Sequence, residues 1–357
     1  MSSPYMQWSK EHAHVKYNLA SSGVTNYPLA KLPVKLKDLE ITGDSFYGYA
    51  PLMEALSKKC HIPVDHIFST IGTSLANHLA MTALIQPGDE VVIELPTYEL
   101  ILSTARYLGA KVKRFFRHVE ERFQVSPEEI ERVLTRKTKL IVLTNLHNPS
   151  SNLTDEKTLS TIGMLARSVG ARVLVDEVYL DAAFDHTPRS AAHLGNEFVV
   201  TNSLTKVYGL SGLRCGWVLA EPDLIQKMWY LNDLFESIPP HPSERMSVIA
   251  LNHLDEIREH SKSLLDDNRK VLREFLKLRE NIEGSVPEIG TVAFLRLKRG
   301  NVDHLCEDLR KKYNTALAPG RFFEMQEYFR IGIGCQPEIL RKGLEHLALG
   351  IDSLCTK

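Results

Sequence analysis

Short apolar runs alternate with amphipathic stretches through the middle of the chain. Runs rich in β-branched residues at Glu90–Leu95, Lys111–Phe116, Lys139–Thr144, Arg172–Glu177, Glu197–Thr201 and Arg214–Leu219 each predict a strand. Between them the apolar positions recur at helical spacing, and the ends carry cap signals. Ser126-Pro127-Glu128-Glu129 supplies an N-cap hydroxyl, a proline at the first helical position and a capping-box glutamate. Gly109 and Gly170 stand where a glycine stops a helix before the next strand. Continuous apolar strands separated by helices predict an α/β fold, with a large, mainly parallel sheet covered on both faces in three α/β/α layers.

The C-terminal third has a different pattern. Asp255–Glu280 is polar overall but places Leu264, Leu265, Val271, Leu272, Phe275 and Leu276 at roughly helical spacing, which predicts one long helix. A strand at Ile289–Leu297, a helix near Val302–Lys312, a strand at Tyr328–Gly332 and a helix near Glu338–Leu349 follow, the pattern of a smaller α+β domain. The expected division is a large domain over residues 45–250 and a small one built from 1–44 plus 251–357. No stretch of 18 apolar residues occurs, so no membrane span is expected, and the opening residues lack the apolar run of a secretory leader.

Charge removes further classes. The 43 Lys+Arg nearly cancel the 44 Asp+Glu, so the whole molecule attracts neither nucleic acid nor an anionic membrane surface. Cys60, Cys215, Cys306, Cys335 and Cys355 are scattered and form no C-x-x-C pair. Neither a disulfide framework nor a metal site is expected, and the cytoplasm is the expected compartment.

Candidate chemistry concentrates in Ser203–Trp217, SLTKVYGLSGLRCGW. Lys206 among small and apolar neighbours is a lysine whose amine is made available for a Schiff base by a lowered pKa. Ser203 and Arg214 could converge on a phosphate, the guanidinium fork suiting its oxygens. A lone lysine is more often a surface residue in a turn. Asp176 ends an apolar strand, where open α/β sheets bind ligands and where a desolvated carboxylate needs a cationic partner. Capping the next helix is the plainer alternative. Asn148-Pro149 follows another strand and offers an amide donor, or is only a turn. Gly72-Thr73-Ser74 opens a helix expected at Leu75–Ile85 and makes an anion site or an ordinary cap. Tyr98 follows a strand, placed to stack on a flat ring or to fill core.

Together these segments resemble the class I/II aminotransferases, pyridoxal-phosphate (PLP) enzymes of fold type I. Seven motifs stand in that family's order: Tyr47–Leu56, then G-T-S, P-T-Y, N-x-H-N-P, D-E-V-Y, S-x-[ST]-K and a late F-R-I-G. The resemblance implies that Lys206 forms the internal aldimine and shuttles the proton, and that Asp176 keeps the pyridine nitrogen protonated. It implies Asn148 and Tyr179 on the ring's 3′-oxygen, Tyr98 stacked on the ring, and Gly72, Thr73, Ser74, Ser203 and Arg214 around the phosphate. Arg330 would grip the substrate α-carboxylate, a bidentate task, with Asn148 beside it. Gly23 matches the segment that closes over the substrate. Tyr47, with Tyr49 as rival, matches a residue reaching the neighbouring subunit's phosphate, which implies a homodimer with shared sites.

The implied activity is transfer of the amino group of an α-amino acid to a 2-oxo acid by a ping-pong route. A β-eliminating lyase or an amino-acid synthase on the same fold is the nearest alternative, since relatives of both kinds keep these residues. A non-catalytic regulator and a nicotinamide-dependent enzyme fit less well: no basic DNA-binding module precedes the fold, and no G-x-G-x-x-G follows a first strand. Two motif positions depart from the family, Leu146 for a proline and Ser151 for a glycine. No second arginine is placed for a dicarboxylate; Arg321 either recognises an acidic group or is a solvated loop residue.

Overall fold

The computed structural model describes residues 2–355; Met1, Thr356 and Lys357, counted in the expected small domain, and the side chain of Cys355 lie outside the described residues. The strands are β1 (Tyr17–Asn18), β2 (Ile67–Ile71), β3 (Glu90–Leu95), β4 (Lys111–Phe116), β5 (Thr138–Thr144), β6 (Arg172–Asp176), β7 (Phe198–Ser203), β8 (Cys215–Leu219), β9 (Ile282–Glu283), β10 (Val292–Leu297), β11 (Thr315–Ala316), β12 (Ala318–Pro319) and β13 (Tyr328–Gly332). The helices are α1 (Pro4–His12), α2 (Ala50–Cys60), α3 (Thr73–Leu84), α4 (Glu99–Tyr107), α5 (Pro127–Val133), α6 (Glu156–Val169), α7 (Pro222–Asn232), α8 (His241–Asn252), α9 (Leu254–Lys277), α10 (Val302–Tyr313) and α11 (Pro337–Cys355).

Seven strands form one sheet in the order β2-β8-β7-β6-β5-β3-β4. The pairs from β4 across to β7 are parallel, while β8 runs antiparallel to both β7 and β2. Its central strands are buried on both faces, as their unbroken runs of Val, Ile and Leu require. A four-stranded antiparallel sheet, β12-β13-β10-β9, packs with α9, α10 and α11 in the C-terminal third.

Several boundaries differ from the sequence expectation, each for a local reason. Arg214 is not in a strand: it turns into the left-handed region (φ 53°) and β8 begins one residue later. Gly290, at φ +84°, turns the chain before β10, which therefore starts at Val292. Strand β2 escaped the pattern because IFSTI is half polar, although four of its five residues are buried. Helix α1 escaped it too, since Tyr5 is its only buried residue; Ser3 at the cap and Pro4 at the first turn were the local signal.

A strap of extended chain over residues 17–27 joins the ends of the fold. It pairs with β11 (Tyr17↔Thr315, Asn18↔Ala316), accepts at Leu19 O from Gly332 N (2.7 Å), and donates from Thr25 N to Gly334 O (2.7 Å). On its other side Val24 N donates to Lys206 O (2.7 Å). The crossing over β13 is so close that a Cβ at Gly332 would land on the carbonyl oxygen of Ser21. Gly332→Ala should therefore cost about 3 kcal/mol, the upper range for overpacking, because backbone rather than a flexible side chain must yield. Urea unfolding of the variant checks it.

Candidate active site

The carboxyl ends of β5, β6 and β7 open into a cavity of about 370 Å³, a volume suited to a small organic ligand. Pairing register sets its floor: Thr144 of β5 stands opposite Asp176 of β6, which stands opposite Thr201 of β7. Asp176 is 3% exposed. Its Oδ2 accepts from Asn77 Nδ2 (2.8 Å) and its Oδ1 from Val178 N (3.1 Å), while Thr201 Oγ1 donates to Asn77 Oδ1 (2.7 Å). Burial pushes the Asp176 carboxyl up to about 6, and the Asn77 and Val178 hydrogen bonds and the charge of Lys206 restrain the rise.

Lys206 follows β7 and enters the same cavity. Its Nζ donates to Ser22 Oγ (3.3 Å), which also accepts from Tyr179 OH (2.7 Å). Burial lowers the lysine's pKa, as do Arg330 and Arg214; the charge of Asp176 and the Tyr5 phenol oppose the shift. Burial likewise raises the phenols of Tyr179 and Tyr98, so both stay protonated donors. Tyr98 lines the cavity with its ring edge-on to Tyr5 (5.7 Å between centroids).

At one end of the cavity α3 begins without a side-chain cap: Gly72 is its N-cap, and the Thr73 hydroxyl is buried with no partner. Uncapped first-turn amides and an unpaired hydroxyl form an anion cradle. Arg214 closes over it, donating to Ile71 O (3.0 Å) and Ser211 O (3.1 Å), and Gly72 (φ +97°) leaves the room its guanidinium occupies. Ser203, Thr205 and Ser74 complete this end. An uncapped helix start, an orphan hydroxyl and an arginine fit a phosphate. A buried carboxylate nearby fits a ring nitrogen that carries a proton. The residues present thus fit PLP, with Lys206 as the amine.

Not every expected residue joins this cavity. Arg330, at the middle of β13, is wholly buried behind Asn148, whose Oδ1 accepts from its Nη1 at 2.8 Å. Gly23 lies against the Lys206 backbone, and its neighbours Ser21 and Ser22 line the cavity instead. Tyr47 is 55% exposed on the surface, where it donates to Asp233 Oδ2 (3.2 Å) and packs on Trp229 and Tyr230. Tyr49 packs on His241, so neither tyrosine reaches the cavity of its own chain. Arg321 pairs with Asp303 at the surface and is not offered to a substrate. Among the described residues no cluster of His, Cys, Asp and Glu could hold a metal, and no helix is long and apolar enough to cross a membrane. Sequence reasoning missed Asn77 and Tyr5, and gave Ser22, beside Gly23 in its motif, no role. Thr205 was within the quoted lysine motif but was given no role.

Residues 37–347 match the family described as aminotransferase class I and II. Capreomycidine synthase of Streptomyces vinaceus is 29% identical over 96% of this chain and 91% of that protein. Aspartate aminotransferase of Sulfolobus acidocaldarius is 25% identical over 85% of this chain and 80% of its own. Among solved structures, a PLP-dependent aminotransferase from Streptococcus suis superposes with a TM-score of 0.93 at 25% identity, covering 99% of both chains.

The Asn77 contact gives a testable consequence. Ionised Asp176 holds a cationic ring partner, so cofactor affinity should be full above the carboxyl's pKa and fall as pH drops through it. Asn77→Leu removes a hydrogen bond that stabilises the charged form. The acid limb of PLP affinity, measured by titrating apoenzyme between about pH 5 and 8, should then move up by about one unit. An unmoved limb would exclude this role for Asn77.

Proposed function

We propose that this chain, which belongs to the class I and II aminotransferase family, moves the amino group of an α-amino acid to a 2-oxo acid by a ping-pong route. Members of the family depend on PLP, which supplies an aldehyde that condenses with amines and a ring that stabilises negative charge at the substrate's α-carbon. The observation that carries the reading is that one cavity holds the Lys206 amine, the Asp176 carboxylate and an uncapped helix start beside Arg214.

The residues divide the work by position. Lys206 Nζ, biased toward its neutral form by burial, takes the proton from the substrate's Cα and later returns it. Asp176 balances the charge of a protonated ring nitrogen, and Asn77 keeps that carboxylate ionised. Tyr179 and Asn148 supply donors on the ring's oxygen side, Tyr98 faces the ring, and Thr73, Ser74, Ser203 and Arg214 hold the phosphate with the Gly72 turn. Arg330 takes the α-carboxylate. In this reading residues 45–250 bind the cofactor, and residues 1–44 plus 251–357, with Gly23 in the strap, form the part that closes over substrate. Unpaired thiols at Cys60, Cys215, Cys306 and Cys335 fit a reducing, cytoplasmic setting.

A homodimer belongs to the same proposal. Phe46, Tyr47, Tyr230, Leu234, Phe235 and Ile238 are large apolar side chains left exposed, with Tyr47 in contact with Tyr230. Such a patch marks an association surface, and in this proposal Tyr47 on it faces a partner's cavity. Leu234→Glu should shift the protein to monomer in light scattering; a wild-type monomer at micromolar concentration would remove the proposal.

Synthase chemistry is the second reading, favoured by the capreomycidine synthase that matches this chain over 96% of its length. Incubation with a panel of amino acids and 2-oxo acids separates the two. Transamination turns over only with the acceptor and yields a new amino acid; product released over many turnovers without any acceptor, such as pyruvate with ammonia, overturns it. Lys206→Ala should abolish the visible absorbance of bound cofactor and lower kcat on the order of 10³-fold or more.

A further inference from the structure

Arg330 is buried without a counter-ion. Nη1 donates to Asn148 Oδ1 (2.8 Å), and Nη2 donates to the Ala20 carbonyl (3.0 Å) and to Tyr5 OH (2.7 Å). Nε has no partner, and the Tyr5 and Phe323 rings stand 5.6 and 5.0 Å from the guanidinium carbon. No carboxylate pairs with it among the described residues. A fully desolvated guanidinium held only by neutral acceptors is an expensive arrangement that an incoming anion relieves.

The three acceptors differ in how they are held. Asn148 belongs to the loop after β5, where its N donates to Thr144 Oγ1 (3.0 Å), and Ala20 to the strap, where its N donates to Asn18 Oδ1 (2.9 Å) beside the backbone-paired Leu19. Tyr5 is carried by α1, a separate nine-residue helix that forms one wall of the cavity. The start of that helix is tied to α4 and its cap: Ser3 Oγ and Tyr5 N both donate to Glu99 Oε2 of α4, the latter at 3.4 Å, and Tyr98 OH donates to Met6 Sδ (3.4 Å).

We infer that Tyr5 is a gate on Arg330, its hydroxyl standing in for the substrate's α-carboxylate and yielding the guanidinium when a carboxylate arrives. The inference rests on Arg330 as the carboxylate anchor. The phenol occupies the guanidinium's cavity side, so a carboxylate must displace it, and only a ligand able to outbid a neutral hydroxyl does so. Amines and amides of the same shape gain nothing from the exchange. Carboxylate affinity is thereby reduced by the fraction of molecules with the gate shut, while the guanidinium is kept partnered until a carboxylate takes it.

The test uses PLP-loaded enzyme and butyrate, a carboxylate with no amine to react, with butyramide as its neutral isostere; calorimetry reads both. Tyr5→Phe should tighten butyrate binding about tenfold, the effect of removing a hydrogen bond to a charged group, and leave butyramide unchanged. Glu99→Gln, which touches neither Arg330 nor the tyrosine ring, should tighten butyrate in the same direction by freeing α1, and it decides the matter if Tyr5→Phe does not fold. Unchanged or weaker butyrate binding in these variants overturns the gate, as does equal tightening for butyramide, the mark of a merely loosened cavity. Arg330→Lys separates the two layers: surviving butyrate affinity would remove the anchor and the gate with it. Lost affinity there, without tightening in Tyr5→Phe, would remove the gate alone.

Discussion

The strap over residues 17–27 is the constraint on which the cavity depends. Its backbone is hydrogen-bonded to β11 and β13 on one side and to the Lys206 segment on the other, and its side-chain and carbonyl groups reach inward from that fixed line. Ser22 thereby meets Lys206 and Tyr179, and the Ala20 carbonyl meets Arg330. Thr291 Oγ1 donates to Ser22 O (2.7 Å), tying the C-terminal third to the same residue. Gly332 allows the strap to lie flat against β13; a side chain there would lift it from β13, where its neighbours Ala20 and Ser22 meet Arg330 and Lys206.

Burial acts on the charged groups of the site in one consistent direction. Asp176 is pushed up and Lys206 down, each toward its neutral form. A phosphate end, a ring nitrogen and a substrate carboxylate are complementary to the cradle, to Asp176 and to Arg330. The site is electrostatically incomplete by itself and is completed by ligands of defined charge, which is how a low-dielectric cavity gains selectivity.

Much of this organisation was legible in the chain. Strands β3, β4 and β13 read with their observed limits, and the chemistry-bearing Lys206 and Asp176 stand after or at strand ends inside ordered motifs. What escaped was of two kinds. Helix α1 has a single buried residue and β2, though mostly buried, carries Ser69 and Thr70, so both have too little apolar pattern to announce themselves. Single polar residues acting at a distance left no local trace: Asn77 lies 99 positions from Asp176 in sequence, and Ser22 lies 184 from Lys206. Arg321, left open in the sequence between an acid-recognising and a solvated residue, pairs with Asp303 at the surface.

The pairing of β1 with β11 also orders events during synthesis. Residues 17 and 18 leave the ribosome long before residues 315 and 316, their only strand partners. At about 5 to 20 residues per second the interval is about 15 to 60 s. After residue 219 the large sheet has all its strands, but the segment that roofs Lys206 still lacks β11 to pair with. A nascent chain is therefore unable to enclose a ligand until residues 315 and 316 have been made, and the strap is translated long before it can dock.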